Sequence, residues 1–164
     1  MKKKDLKSFS NPNIRIRQCV PNDIDQMVSL YKEVFPTYPF PIHDPNYVEQ
    51  TMSEHVDYYC VEKNGSIIAL SSAEIDQTSS SAEMTDFATY PKNRGEGYAS
   101  LLLTTMEQNS AQKGIKTCYT IARAISPGMN ITFARNNYMF GGRLKNNTNI
   151  SGNIESMNVW YKNK

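Results

Sequence analysis

Two carboxylates and a glycine-bearing loop occur close together in the middle of the sequence. Glu83 and Asp86 lie in a segment with the alternation of a β-strand, and Pro91 ends that strand. Arg94 and two glycines follow, and from Tyr98 apolar residues recur at helical spacing. The loop therefore presents backbone N–H groups and a positive charge at a helix N-terminus, where an anion such as a phosphate is favoured.

The residues of this loop can be compared with the sequence patterns of the known types of phosphate-binding loop. A P-loop requires a Gly-Lys-Ser/Thr sequence, which is absent here, and a dinucleotide fingerprint requires a third glycine where Ser100 stands. The segment from Arg94 to Ala99 fits Arg-x-x-Gly-x-Ala and resembles the pyrophosphate loop of the GNAT acyl-CoA-dependent N-acetyltransferases. The alternative is a turn whose glycines only satisfy positive φ, with Arg94 in solvent.

The resemblance implies acetyl-CoA as cosubstrate. In the GNAT superfamily the strand before the loop splays from its neighbour, and its free amides pair with the pantetheine arm. Here that strand would cover residues 84–89, and an asparagine at the place of Asn130 binds pantetheine in much of the superfamily. The implied acetyl-CoA contacts are Phe87, Ala88, Thr89, Arg94, Gly95, Glu96, Gly97, Tyr98, Ala99, Asn130 and Phe133.

The two carboxylates are the candidates for a general base. A lysine-type amine has a pKa near 10.4, so only about one molecule in a thousand is neutral at pH 7.4. Glu83 is the first candidate, because it stands where several GNAT enzymes have a catalytic glutamate and because burial would raise its pKa. Asp86 is the second, on the opposite face of the strand unless a bulge intervenes. For each carboxylate the alternative is a solvated charge or a salt bridge.

Attack on a thioester builds negative charge on its carbonyl oxygen, for which the amides of Phe87 and Ala88 are the predicted donors. Many GNAT enzymes protonate the leaving thiolate with a tyrosine, and here Phe133 stands at that position. Since a thiol has a pKa near 8.5, water or the ammonium proton would suffice. Tyr119 or Tyr138 could substitute, although packing explains both residues as well.

Several separate strings together are similar to those of the β-lysine ε-N-acetyltransferases. They are YPFP from Tyr38, EMTDFAT from Glu83, YTIARA from Tyr119, GMNITFA from Gly128, NNTNI from Asn146 and ESMNVWYK from Glu155. This resemblance implies acetylation of the side-chain amine of β-lysine to give a neutral zwitterionic osmolyte. The alternatives are another small amine, such as lysine or a polyamine, and a non-catalytic acyl-CoA-binding module.

A β-lysine pocket would need partners for both the carboxylate and the β-ammonium. Arg123 is the candidate for the carboxylate, and the candidates for the ammonium are Glu155, Asn146, Asn147 and Asn149. The asparagines also suit a simple loop, because asparagine favours turns over strands. The residues that could wall the aliphatic chain are Tyr38, Phe40 and Trp160, although such aromatics also serve in cores.

The composition predicts one cytoplasmic domain. The 164 residues suit a single GNAT domain at residues 14–164, after a disordered basic tail at residues 1–13. A net charge of +2 is too small to predict a nucleic-acid partner, and the sequence has neither a signal peptide nor a membrane span. Three scattered cysteines suit a reducing compartment and predict no metal site. We expect a monomer or a homodimer.

The hydrophobic patterns predict an α/β fold. Strands are expected at residues 14–17, 56–62, 67–73, 84–89, 117–122, 139–144 and 156–161. Helices are expected at about residues 23–35, 44–54, 98–113 and 126–136. This order is that of a GNAT domain, whose central sheet is mostly antiparallel and splayed at the acyl-CoA site.

Overall fold

A computed structural model describes residues 13–164, so the predicted basic tail, apart from Asn13, lies outside the described residues. The strands are β1 (Ile14–Gln18), β2 (Val56–Lys63), β3 (Ser66–Asp76), β4 (Ser81–Thr89), β5 (Thr117–Arg123), β6 (Met139–Ile150) and β7 (Asn153–Asn163). The helices are α1 (Ile24–Val34), α2 (Pro45–Glu54), α3 (Tyr98–Gln112) and α4 (Pro127–Arg135).

The strands form one sheet in the order β1-β2-β3-β4-β5-β7-β6. Every neighbouring pair is antiparallel except β4 and β5, which are parallel. The predicted mostly antiparallel α/β architecture is therefore confirmed. The pairing of β4 with β5 covers Ser81 to Glu83 only, opposite Thr117 to Tyr119. Beyond these residues the two strands separate, which leaves one edge of β4 without a neighbouring strand.

A bulge interrupts β4 just where it leaves β5. Leu70 pairs with Ala88 and Ser72 pairs with Thr85, so Asp86 and the residue after it oppose a single residue of β3. Asp86 has a φ of 54°, in the left-handed region that a bulge residue can adopt. The bulge turns the Asp86 side chain onto the face that carries Ser72 and Thr85, and therefore Glu83.

Two hydrophobic clusters cover the two faces of the sheet. On the α1/α2 face, α1 buries its apolar stripe, including Met27, Leu30 and Tyr31, against β3 and β4, and α2 packs on β2. On the α3/α4 face, Leu102, Leu103 and Met106 of α3 pack with Phe133 of α4. Side chains of β4 alternate between the two clusters, so this strand carries chemistry on the α1/α2 face and packing residues on the other.

The last hairpin is longer than the sequence predicts. The asparagine-rich segment that suits a loop lies in β6, which extends to Ile150, and β7 begins at Asn153. Ser151 and Gly152 form the turn with φ of 52° and 82°, the backbone of a tight two-residue hairpin. Asn149 pairs with Ile154 of β7 despite the poor strand propensity of asparagine. Asn146 and Asn147 fall within a register irregularity between Leu144 and Thr148, where Asn146 has a φ of 44°.

Candidate active site

A cavity of about 820 Å³ lies where β4 and β5 separate. It passes between the strands and so touches both hydrophobic clusters. On the α3/α4 side its wall includes Gly97, Ala99 and Phe133, and on the α1/α2 side it includes Tyr38, Asp86, Arg123, Ile150 and Met157. Such a passage can hold one ligand from each side of the sheet with the reacting atoms between the strands.

The glycine loop forms the mouth of the cavity on the α3/α4 side. Gly95 and Gly97 both have a φ of +85°, and a Cβ built on either would meet no atom within 4 Å. The loop leads directly into α3, whose first turn has N–H groups without intrahelical acceptors. Arg94 donates its Nε–H to the carbonyl of Thr89 at 3.2 Å, which holds the guanidinium beside the loop. These features fit the pyrophosphate of acetyl-CoA.

The open edge of β4 supplies backbone donors to the cavity. Tyr90 N–H bonds the carbonyl of Ile68 in β3. Alternate residues of an antiparallel pair direct their N–H groups to the partner, so that of Ala88 also points into the sheet. Those of Phe87 and Thr89 then point to the open edge. Of the two amides predicted to donate to the carbonyl oxygen of the thioester, those of Phe87 and Ala88, only that of Phe87 points to the open edge.

Asp86 is the carboxylate that faces the cavity. It accepts hydrogen bonds from the hydroxyl of Tyr38 at 2.6 Å and from that of Ser72 at 2.5 Å. Burial raises the pKa of Asp86, and the two hydroxyl donors offset part of that shift. The two donors fix the position of the carboxylate, and an ammonium group in the cavity would favour its ionised form.

Glu83 lies deeper, at the point where β4 and β5 part. Its cross-strand partners are Glu74 in β3 and Tyr119 in β5. Burial, with the negative charges of Glu74 and Asp86, raises the pKa of Glu83 to about 7. A carboxyl group with this pKa can accept a proton at neutral pH and release it again. Glu83 does not itself line the cavity wall, so a water molecule would connect it to an amine there.

Arg123 and Glu155 form an ion pair on the same face as Asp86. Arg123 donates Nε–H and Nη2–H to the two Glu155 oxygens at 2.7 and 2.6 Å. The Glu155 side chain is only 6% exposed, whereas that of Arg123 is 27% exposed. Arg123 lines the cavity, and so does its cross-strand partner Met157. The two predicted substrate anchors thus hold each other in a bidentate pair.

The amide group of Asn130, in α4, forms a structural link. Its amide nitrogen donates to the carbonyls of Arg123 and Ser126, and its oxygen accepts from Asn158 and Trp160. The side chain therefore has its hydrogen-bond partners inside the protein, and its direct contact with acetyl-CoA stays a prediction. Asn130 joins α4 to β5 and β7.

Several predicted substrate residues lie away from the cavity. Trp160 packs against Phe140 on the α3/α4 face, opposite to Asp86, so it does not wall an acceptor on the α1/α2 side. Phe40 is 59% exposed in the loop between α1 and α2. The three asparagines are exposed in β6 and are absent from the cavity wall: Asn146, Asn147 and Asn149. Of the predicted aromatic wall, Tyr38 alone lines the cavity.

The position of the missing tyrosine is filled by an aromatic cluster. Phe133 is 1% exposed and packs edge-on against Phe87 and Tyr138 at centroid distances of 5.7 and 5.1 Å. The Tyr138 hydroxyl lies buried near Glu107 and Cys118, away from the cavity wall. Burial raises the pKa of Tyr138, which makes it a poorer proton donor. Neither Phe133 nor Tyr138 is therefore suited to protonate the leaving thiolate.

Sequence reasoning did not find Ser72, which holds Asp86. A signal was present, since Ser71 and Ser72 interrupt the apolar run from Ile67 to Ala73; both serines are fully buried. Phe35, Ile150 and Met157 also line the cavity. Their sequence positions do not indicate this, because an apolar residue in a helix or strand can pack in the core as well as line a cavity.

Residues 24–127 match the model of the acetyltransferase (GNAT) family, which is more than half of the chain. The chain belongs to this family. Solved structures agree on the fold: an N-acetyltransferase from Staphylococcus aureus superimposes with a TM-score of 0.78 at 18% identity, over 92% of this chain and 98% of that one. A ribosomal L7/L12 alpha-N-protein acetyltransferase in complex with coenzyme A gives 0.77 at 15% identity, over 93% and 94%.

The more similar relatives are curated proteins. Two are named beta-lysine N(6)-acetyltransferase: that of Methanococcus maripaludis is 49% identical over 85% of this chain and 51% of its own length, and that of Methanosarcina mazei is 40% identical over 98% and 59%. The N-acetyltransferase YodP of Bacillus subtilis is 40% identical over 96% and 57%. The chain thus spans between half and three fifths of these relatives.

Among residues 13–164, no group of three or more histidine, cysteine, aspartate or glutamate side chains could hold a metal ion. In the same part of the chain, no helix is both long and apolar enough to cross a membrane.

Proposed function

We propose that this protein transfers the acetyl group of acetyl-CoA to the side-chain amine of β-lysine. The observation that carries the proposal is that a carboxylate, Asp86, and a guanidinium, Arg123, which the buried Glu155 holds, line the same side of one cavity. The names of the two archaeal relatives support the choice of substrate.

In this proposal acetyl-CoA, the acetyl donor, binds on the α3/α4 side of the cavity. Gly95 and Gly97 leave open space beside α3 for the pyrophosphate, and the open edge of β4 runs from there toward Asp86. Acetyl-CoA supplies an acetyl group activated as a thioester. The Phe87 N–H at this open edge is placed to stabilise negative charge on a carbonyl oxygen.

The two carboxylates divide the work on the amine. Asp86, held by Tyr38 and Ser72, attracts the ammonium form and orients it. Glu83, with a pKa of about 7, takes the proton that the amine must lose before it attacks. The new C–N bond forms as the C–S bond breaks, and the thiolate, with a pKa near 8.5, needs no dedicated acid. A mechanism without a dedicated acid is consistent with Phe133 at the position where many GNAT enzymes have a tyrosine.

The Arg123–Glu155 pair suits a substrate that carries a carboxylate. The carboxylate of β-lysine matches the N–H groups of Arg123 that Glu155 leaves unused, because Arg123 lines the cavity. Glu155 is buried and does not line the cavity wall, so it orients Arg123 in this proposal. From Tyr119, the partner of Glu83, to Arg123 is four residues of β5, or about 13 Å. With both side chains directed inward, that span accommodates an extended six-carbon diamino acid.

The product would be a neutral zwitterion, because acetylation removes one of the two positive charges of β-lysine. Such a solute can accumulate without changing the charge balance, which is the property of an osmolyte. We propose that the protein performs this synthesis in the cytoplasm, as a monomer or a homodimer.

The test is release of free thiol from acetyl-CoA in the presence of β-lysine, lysine or spermidine, with a reaction without amine as the blank. We expect β-lysine to give the highest kcat/KM, and NMR of the product should place the acetyl group on the ε-nitrogen. Preference for lysine or spermidine would assign another small amine. Binding of acetyl-CoA without thiol release from any amine would indicate a non-catalytic module.

A further inference from the structure

Two adjacent residues of the loop between α1 and α2, Thr37 and Tyr38, cross the α1/α2 side of the cavity. The Tyr38 hydroxyl donates a hydrogen bond to Asp86 at 2.6 Å, which connects the loop to β4. Thr37 is bonded to the turn between β6 and β7: its carbonyl accepts from Ser151 N–H at 3.1 Å, and its Oγ1 accepts from Gly152 N–H at 2.7 Å. We refer to Thr37 and Tyr38 as the strap.

The turn on the far side of the strap has a defined conformation. Ser151 and Gly152 both have positive φ, so they form a tight two-residue turn between the paired residues Ile150 and Asn153. Both N–H groups of the turn meet the same residue, Thr37. Ile150, directly before the turn, is 4% exposed in the α1/α2 cluster and lines the cavity. The strap is therefore hydrogen-bonded to a two-residue turn beside the cavity wall.

The strap joins the two halves of the sheet at their open end. At the other end, β4 and β5 share only three residue pairs, from Ser81 to Glu83. Beyond Glu83 the halves are separated by the cavity, and the strap spans from β4 on one side to the β6–β7 turn on the other. Its hydrogen bonds thus hold Asp86 and the wall residue Ile150 at a fixed separation.

We propose that Thr37 is a positioning residue that sets the width of the amine side of the cavity. This inference rests on the proposed function, since it concerns the affinity for the acceptor amine. The Thr37 side chain touches neither Asp86 nor the Arg123–Glu155 pair, so it acts through the turn it holds. Loosening it should weaken acceptor binding and leave the coenzyme side, which lies across the sheet, unchanged.

The experiment compares Thr37→Val with Thr37→Ser. Valine matches threonine in shape but has no oxygen to accept from Gly152 N–H, whereas serine keeps that acceptor. For whichever amine the unmutated protein uses best, we expect Thr37→Val to raise KM measurably, by at most about fivefold to tenfold, the limit set by the free energy of one hydrogen bond. The KM for acetyl-CoA should not change, and Thr37→Ser should behave like the unmutated protein.

Amide hydrogen exchange gives a readout that does not depend on activity. Gly152 N–H should exchange faster in Thr37→Val than in Thr37→Ser, and the core amides of β3 should be unaffected. Faster exchange at Gly152 with an unchanged amine KM would overturn the inference, and so would equal exchange in the two variants. Failure of the unmutated protein to acetylate any amine would refute the proposed function, whereas the exchange comparison would still test the strap.

Discussion

The two sides of the cavity are built in different ways. The proposed coenzyme side comes largely from one continuous segment, in which strand β4, the loop with Gly95 and Gly97, and helix α3 follow in sequence, and Phe133 of α4 completes its wall. The amine side is assembled from distant parts of the chain: Tyr38 before α2, Asp86 in β4 and Arg123 in β5. The first is a local structure and the second is a product of the tertiary fold.

This difference separates chemistry that a backbone performs from chemistry that side chains perform. A pyrophosphate is held by N–H groups and a helix terminus, which depend on φ and ψ more than on residue type. An amine must be oriented, deprotonated and distinguished from other amines, which requires charged groups at fixed positions. We therefore expect substitutions on the coenzyme side to abolish binding, and those on the amine side to change rate and selectivity.

The largest effect is expected on the coenzyme side. Gly97→Asp places a side chain and a negative charge in the open space where phosphates would lie, so acetyl-CoA affinity should fall more than a hundredfold. Calorimetric titration measures this directly. Gly65→Asp is the matched control, because Gly65 also has positive φ and open space but lies in the β2–β3 hairpin. Equal affinities for the two variants would contradict the assignment of the loop.

On the amine side, Glu83→Gln should lower kcat about a hundredfold and remove the acidic limb of the rate profile near pH 7. Acetyl-CoA affinity should be unchanged. Glu74→Gln should shift the acidic limb to lower pH, since the Glu74 charge raises the pKa of Glu83. If Asp86→Asn removes the limb while Glu83→Gln remains active, the base is Asp86.

Selectivity should depend on the Arg123–Glu155 pair. Replacing Arg123 alone would leave the buried Glu155 carboxylate without its partner and destabilise the fold. The double variant Arg123→Met with Glu155→Met removes both charges together. Steady-state kinetics should show kcat/KM for β-lysine about tenfold to a hundredfold lower, with little change for cadaverine. An equal loss for both amines would show that the pair only supports the fold.

A separate effect concerns stability. The pKa of Glu83 is raised to about 7 in the folded protein, so the folded state binds more protons than the unfolded state between about pH 4.5 and 7, and stability falls as the pH rises through this range. Glu83→Gln should remove this cost and raise the free energy of unfolding at pH 8. At pH 4 the two proteins should differ little. Urea unfolding at both pH values checks the expectation.

The local structures were predictable from the sequence and the long-range contacts were not. Between β2 and β3, Asn64 and Gly65 have φ of 51° and 79°, the conformation that an Asn-Gly pair between two strands favours. Helix α3 begins at Tyr98, as the pattern of apolar residues predicts. The pairing of Arg123 with Glu155 depends on the register of β5 with β7, which no local pattern contains. The bulge at Asp86 likewise depends on pairing with β3.

The type of a residue also does not reveal which partners its side chain has or which face of a strand it occupies. An asparagine with four good partners inside the protein, Asn130, looks the same in a sequence as one that binds a ligand. Trp160 alternates onto the α3/α4 face because it pairs with Thr120 of β5. Which face a strand residue occupies is fixed by its neighbours, and an aromatic string alone does not indicate it.

The most direct test of the account is the ratio of kcat/KM for β-lysine to that for cadaverine in the unmutated protein. Cadaverine carries the same kind of terminal amine but offers no carboxylate to Arg123, so it loses hydrogen bonds to a charged group. We predict that β-lysine is preferred by about tenfold to a hundredfold. Comparable values for the two amines would contradict both the role of the Arg123–Glu155 pair and the assignment of β-lysine as substrate.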